Sequence, residues 1–165
     1  MRKSYPSELS TGYISISEVS IPIKTRHELG PTLLALQSLF KQESKREEIL
    51  GHLASRLIVG SNTDGRPGLS LWEVLVLGVV RLCLDVDYDT LEDLANHHHL
   101  IRGILGVLPK DGSLGTKVYG VGTIKRSVGR LDEPSLVWIN TLVVQAGHRL
   151  VGKKNRASRR AKSQS

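Results

Sequence analysis

The sequence predicts a mainly α-helical protein: a small multi-helix domain around a buried central helix at about residues 70–84, with an extended N-terminal arm and a flexible basic C-terminal tail. Apolar residues recur at helical spacing over most of the chain. One apolar run is nearly continuous, which is typical of a helix buried on all sides. The last residues are basic and poor in apolar side chains. We therefore divide the 165 residues into an extended or partly disordered arm (1–24), a helical domain (25–151) and a disordered basic tail (152–165).

Local patterns predict the arm and the first two helices. Apolar and polar residues alternate from Tyr13 to Ser17, which indicates a short extended segment. Pro31 suits the first turn of a helix, and apolar residues follow it along one face. A second apolar stripe, from Ile49 to Ile58, predicts another amphipathic helix. Asn, Asp, Gly and Pro then concentrate in residues 61–68, which predicts a loop.

The central helix is predicted from its start and from its composition. Ser70 and Glu73 match a capping box, in which the hydroxyl and the carboxylate satisfy free backbone N–H groups. From Leu71 to Leu84 nearly every residue is apolar. Cys83 lies in this run and, as the single cysteine, cannot form an internal disulfide. We expect it to behave as a small buried hydrophobe.

Two short helices are expected after the central one. Asp89 or Thr90 can cap a helix that runs through Ala95. A further helix is expected from about Leu100 to Leu105.

The rest of the chain begins with a glycine-rich stretch over residues 106–122. We predict a short strand around residues 117–119 and a helical turn at Thr123. A long helix is then predicted to begin at Glu133-Pro134 and to carry apolar residues as far as Leu150.

Charge is distributed unevenly along the chain. The sequence has 23 basic and 16 acidic residues. Seven of the basic residues and none of the acidic ones lie in residues 149–165, so the remainder of the chain is balanced at 16 of each. A dense basic tail attracts phosphate by releasing counterions, whatever the nucleotide sequence. The alternative is a solvated end without a partner.

Two clusters resemble metal sites and do not meet the requirements of one. Acidic residues alternate over residues 85–89, but a calcium loop would need Gly and Glu where this chain has Thr90 and Asn96. Residues 97–99 are three consecutive histidines. Successive side chains on a helix point about 100° apart, so these three cannot close one metal site. We expect helix caps and a polar turn instead, and no metal or other cofactor.

Residues 89–105 have the proportions of a helix-turn-helix, whose second helix could enter a major groove. The local charge argues against base reading. Residues 70–108 contain two basic residues, Arg81 and Arg102, and six acidic ones. A surface that reads DNA should carry the opposite balance.

The segment from Lys110 to Arg130 is better suited to a phosphate chain. It carries five basic residues and one acidic residue, Asp111. Its glycines allow close approach of the backbone, and its Lys and Arg side chains can position phosphates. The alternative is that these are solvated loop charges.

No constellation of catalytic residues is visible. Phosphodiester chemistry uses several acids that converge on metal ions, whereas the acids here lie in predicted turns and caps, and none follows Glu133. The start of the chain lacks a secretory signal. The longest apolar stretch, residues 74–84, is interrupted by Arg81 and is shorter than a membrane span. We expect a cytoplasmic protein without a membrane partner.

Several short motifs are shared with one known family. They are Met1-Arg2-Lys3, Gly12 with Ile14 and Ile16, Arg46-Glu47-Glu48, Gly65-Arg66-Pro67-Gly68, Leu71-Trp72, Leu75-Val76-Leu77-Gly78-Val79, Asp87-Tyr88-Asp89, Leu91-Glu92-Asp93-Leu94-Ala95-Asn96, Ile139-Asn140, Val143-Val144 and Ala146-Gly147-His148. Through these motifs, residues 1 to about 154 resemble the amino-terminal region of bacterial DDE-type insertion-sequence transposases. The Gly-Arg-Pro-Gly loop followed by a buried helix is the most specific combination.

The resemblance implies a helical domain that helps to recognise terminal inverted repeats and to assemble the transpososome. After Lys153-Lys154 the sequence departs from the family, and no position matches a catalytic residue. The expectation is a transposase truncated before its RNase H-like domain, with a DNA-binding or assembly role in DNA transposition and no enzymatic activity of its own. Its expected partners are DNA and a second copy or an intact transposase, with no small-molecule ligand.

The expected DNA contacts combine the loop, the glycine-rich segment and the tail. They are Arg66, Lys117, Lys125, Arg126, Arg130, Lys153, Lys154, Arg156, Arg159, Arg160 and Lys162. Two alternatives stay open: a protein-interaction module that pairs with an intact transposase, and a remnant without a function.

Overall fold

The computed structural model describes residues 3–5, 12–22, 28–57 and 68–164, with the side chain of Lys154 excepted. Over these residues the protein is α-helical and contains no β-strand, which confirms the predicted fold class. The helices are α1 (Leu29–Lys41), α2 (Glu43–Leu57), α3 (Leu71–Leu84), α4 (Tyr88–His97), α5 (His99–Leu105), α6 (Val121–Val128) and α7 (Glu133–Ser163). None of them is both long enough and apolar enough to cross a membrane.

Helix α3 is the centre of the domain and contacts α1, α2, α4, α5, α6 and α7. Its predicted capping box is confirmed: Glu73 N donates to Ser70 Oγ at 3.2 Å, and Ser70 N donates to Glu73 Oε2 at 2.7 Å. Residues 71–80 are all buried. The last turn differs from the prediction of burial on all sides, because it reaches the surface and Leu82 is 43% exposed.

Two side chains on α3 show how the core is joined. Trp72 is buried, donates its Nε1–H to Ile104 O at 2.7 Å, and meets the ring of Phe40 edge-on at 4.9 Å between centroids. Cys83 is half-buried rather than fully buried, with its Sγ 3.1 Å from Thr32 Oγ1. The open last turn of α3 explains this exposure.

The described residues of the N-terminal arm are held against the domain. Leu71 N and Trp72 N donate to Lys3 O and Ser4 O at 2.9 and 3.0 Å. Tyr13 pairs with Pro109 in a single antiparallel bridge, in which Ile14 N and Lys110 N donate to Leu108 O and Gly12 O at 2.8 Å. A short 3-10 helix, Ile16–Glu18, follows and buries Ile16. The arm is thus extended in part and anchored by backbone hydrogen bonds.

Two local predictions are wrong. Helix α4 is capped by Asp87, whose Oδ1 accepts from Thr90 N at 2.8 Å, and not by Asp89 or Thr90. Residues 117–119 form no strand, because the side chain of Asn96 takes the place of a neighbouring strand. Tyr119 N donates to Asn96 Oδ1 at 2.7 Å, and Asn96 Nδ2 donates to Tyr119 O at 2.8 Å. The helical turn expected at Thr123 belongs to α6.

Helix α7 is longer than predicted from the sequence. It begins at Glu133, after the N-cap Asp132, and continues to Ser163 through the segment expected to be a disordered tail. That segment has no proline and is rich in Arg, Lys and Ala, which favour helix, and basic residues near its end complement the helix dipole. The described side chains after Leu150 are all exposed. Lys153 still lies beside the end of α1, so residues 154–163 project about 15 Å beyond the domain.

Candidate nucleic-acid interface

The α4–α5 pair has a shorter connection than the three to four residues of a helix-turn-helix, and it lacks a reading surface. His98 alone separates the two helices, and its Nδ1 accepts from Ile101 N at 3.3 Å, which confirms the predicted polar turn. Residues 101–105 of α5 are buried. Because these side chains are enclosed in the core, α5 cannot place them in a major groove.

Arg102 is a structural cation inside this region. It is 1% exposed and donates from Nε to Leu114 O at 2.6 Å, from Nη1 to Ala95 O at 2.9 Å and from Nη2 to Lys117 O at 3.0 Å. Burial lowers the pKa of its guanidinium from the ordinary value. An arginine within an otherwise apolar helix was the sequence signal for this role.

Two of the three acidic residues over 85–89 form helix caps, whereas Asp89 lies in the first turn of α4. Asp85 ends α3 in the left-handed region at φ 49°, and Asp87 begins α4. The hydrogen bonds from Thr90 hold the pKa of Asp87 below its ordinary value. Within the described ranges, no three His, Cys, Asp or Glu residues are grouped so that they could hold a metal ion.

The basic residues expected to bind DNA in residues 110–130 lie in two environments. Lys125, Arg126 and Arg130 are exposed at and just beyond the end of α6. Lys117 instead lies with its Nζ 3.9 Å from Glu73 Oε1 and 5.8 Å from the ring centroid of Tyr119. Its charge offsets a buried carboxylate, so the structure places Lys117 in the support of α3 rather than on an open basic surface.

The projecting part of α7 brings the tail cations into an ordered arrangement. Arg149, Lys153, Arg156 and Arg160 follow one another at intervals of four, three and four residues, which places them on one helix face. We refer to these four residues as the basic stripe. All four are exposed, and the structure records no acidic partner for them in the part of the chain it describes. Arg159 and Lys162 are exposed on other sides of the helix.

Two of the expected contacts cannot be placed. Arg66 lies in residues 58–67, outside the described residues, and the same holds for the side chain of Lys154. Conversely, Arg149 belongs to the basic stripe but was not among the expected contacts. Arg149 lies four residues before Lys153, a spacing that places the two side chains on one helix face. This signal is informative only if the tail is helical.

Comparisons with known proteins identify no relative. Neither a family model, nor a curated protein, nor a solved structure matches this chain.

Proposed function

We propose that this protein binds duplex DNA through the basic stripe on α7 and acts in DNA transposition as a binding or assembly component, without a catalytic step of its own. The single observation that carries the proposal is the stripe itself: four exposed cations on one face of a helix that extends beyond the domain. The resemblance of residues 1 to about 154 to transposase amino-terminal regions supports the link to transposition. A cytoplasmic location belongs to the same proposal.

The stripe suits a duplex in its dimensions. From Arg149 to Arg160 the helix rises about 16 Å. A major groove about 12 Å wide accepts an α-helix, and phosphates flank it on both sides. Contact with about four phosphates would release counterions and make the affinity fall about a hundredfold between 50 and 200 mM salt.

Phosphate contacts fix position and carry no sequence information. A preference for a terminal inverted repeat would therefore need contacts to base edges in addition. The buried face of α5 does not supply them. We propose that contacts between α7 and the DNA phosphates supply most of the affinity. Any preference for a nucleotide sequence is a separate and smaller contribution.

Fluorescence anisotropy with two labelled duplexes tests the proposal. One carries the terminal repeat of the element and the other a scrambled sequence. We expect Arg156→Gln/Arg160→Gln to weaken binding to both duplexes by more than about tenfold at 100 mM salt. Lys125→Gln/Arg126→Gln removes the same charge from α6 and is the matched control. Equal losses in the two variants, or no loss in the first, would contradict binding through the stripe.

A second candidate function, pairing with an intact transposase, is favoured by another face of α7. Val137, Val144 and Val151 are exposed by 61%, 46% and 60% and are spaced by seven residues. These valines supply one apolar position in each heptad, which is half of the pattern of a helix that packs against a second helix. Analytical sedimentation of the native chain and of Val144→Asn, each alone and mixed with an intact transposase, tests this pairing. A native chain that stays monomeric in both conditions would rule it out.

A further inference from the structure

We propose that a cleft between the end of α1 and the middle of α7 is a binding site for a phosphate group. The cleft has a volume of about 280 Å³ and is lined by Ser38, Lys41, Gln42, Ala146, Arg149, Leu150 and Lys153. The inference rests on the proposed function for the expected source of the phosphate, the backbone of a nucleic acid.

Three cations from two helices line this cleft. Lys41 comes from the last turn of α1, while Arg149 and Lys153 come from α7, more than a hundred positions later in the chain. No acidic residue lines the cleft. The structure records no ion pair for these three side chains among the described residues. Their charges are therefore available to an anion that enters between the helices.

Free carbonyl groups at the end of a helix repel an anion, but three of those at the end of α1 accept hydrogen bonds. Gln42 Nε2 donates to Ser38 O at 3.2 Å, and Gln42 N donates to Leu39 O at 3.2 Å. Arg46 Nη1 donates to Phe40 O at 3.1 Å. These bonds occupy carbonyls that a helix end otherwise leaves without a partner and that carry its partial negative charge.

One neutral donor, the hydroxyl of Ser38, adds to the charged groups that line the cleft. Ser38 Oγ accepts from Gln42 Nε2 at 3.3 Å, which leaves the hydroxyl hydrogen free to donate to a bound oxygen. Ala146 and Leu150 form an apolar floor, and Ala146 is buried. Arginine and lysine supply charge-assisted hydrogen bonds, which are the strong contacts to phosphate oxygens.

The cleft is continuous with the basic stripe, because Arg149 and Lys153 belong to both. A phosphate held here would be the first of a series that continues along α7 toward Arg156 and Arg160. Lys41 extends this series onto α1. The cleft would thus fix the position of a bound nucleic acid strand on the domain. The projecting part of α7 alone would not fix that position.

Nuclear magnetic resonance of the full-length ¹⁵N-labelled chain tests the site. Inorganic phosphate is exchanged for chloride at constant ionic strength. We expect saturating shifts at the amides of residues 38–42 and 146–153. Lys41→Gln/Arg149→Gln should weaken this response about tenfold. The control Arg159→Gln/Lys162→Gln removes the same charge beyond the cleft and should leave it unchanged. Shifts that never saturate, or that are the same in the first variant, would overturn the site.

A second titration with a short duplex separates the sources of the phosphate. Shifts of the same amides at lower concentrations than inorganic phosphate requires would identify a nucleic acid backbone as the ligand. Shifts with inorganic phosphate alone would keep the cleft and overturn the proposed function. A duplex that shifts the end of α7 but not residues 38–42 would keep the proposed function and overturn the cleft as part of it.

Discussion

The hydroxyl of Tyr119 donates a hydrogen bond to Glu73 Oε1 at 2.7 Å, and both side chains are buried. The other carboxylate oxygen of Glu73 accepts from Ser70 N at 2.7 Å as part of the capping box of α3. One carboxylate thereby connects the start of the central helix to the segment that precedes α6. Lys117, 3.9 Å from Glu73 Oε1, offsets its charge.

Tyr119→Phe should lower the free energy of unfolding by about 1–2 kcal/mol, because it removes a donor from a buried carboxylate oxygen. Urea denaturation measures the change. Tyr88→Phe is the matched control: no hydrogen bond of its hydroxyl is recorded in the described part of the chain, and the ring stays over Arg81. We expect less than about 0.5 kcal/mol there. Equal losses in the two variants would show that the Tyr119–Glu73 bond contributes nothing specific.

Arg102→Met should destabilise the protein by about 3 kcal/mol or more, since it leaves the carbonyls of Ala95, Leu114 and Lys117 without their donor. Arg81→Met is the control. Its Nε has no hydrogen-bond partner among the described residues, and its guanidinium lies 4.4 Å from the ring centroid of Tyr88, a contact that contributes about 0.5–1 kcal/mol. Thermal denaturation of both variants decides whether the buried arginine has the structural role that its contacts indicate.

The start of α7 should loosen in acid. Hydrogen bonds from Ser135, with Arg56 nearby, hold the pKa of Asp132 below its ordinary value. A carboxyl whose pKa is lower in the folded state stabilises the protein above the pKa of the unfolded state. That contribution is lost as pH falls through the folded pKa. The protection factor of the Ser135 amide, which is its intrinsic exchange rate at each pH divided by the observed rate, should fall between pH 7 and pH 2 and so report this loss.

Asp132→Asn keeps an N-cap side chain without a titrating group and should remove this acid dependence. If the protection factor of Ser135 falls equally with pH in that variant, another group is responsible.

Ala157→Pro should interrupt the projecting part of α7 between Arg156 and Arg160, because a proline inside a helix removes a hydrogen bond and costs about 3 kcal/mol locally. We expect a smaller helical circular dichroism signal, weaker duplex binding and an unchanged melting temperature of the core. Ser158→Ala is the neighbouring control and should alter none of these. Unchanged helicity in the proline variant would mean that residues 151–163 are not helical in solution.

The parts of the fold that were predictable from sequence depend on neighbouring residues. Ser70 and Glu73 lie three positions apart, so the cap of α3 is visible locally, and the apolar run after them identifies the core helix. Contacts such as Tyr119–Glu73 join residues that are distant along the chain, and no local pattern contains them. The candidate interface was predicted as a set of charges spread over the 61–68 loop, the glycine-rich segment and the tail. Its arrangement as a stripe requires the tail to be helical. The highly charged composition of the tail predicts disorder, whereas the helix propensity of its Arg, Lys and Ala residues predicts a helix.

The salt dependence of duplex binding tests the basic stripe most directly. Anisotropy titrations of the native chain and of Arg156→Gln/Arg160→Gln are made between 50 and 300 mM salt. We expect the plot of log affinity against log salt to have a slope of about −4 for the native chain and about −2 for the variant. Slopes that are equal, or a native affinity that does not change with salt, would contradict binding of phosphates by this face of α7.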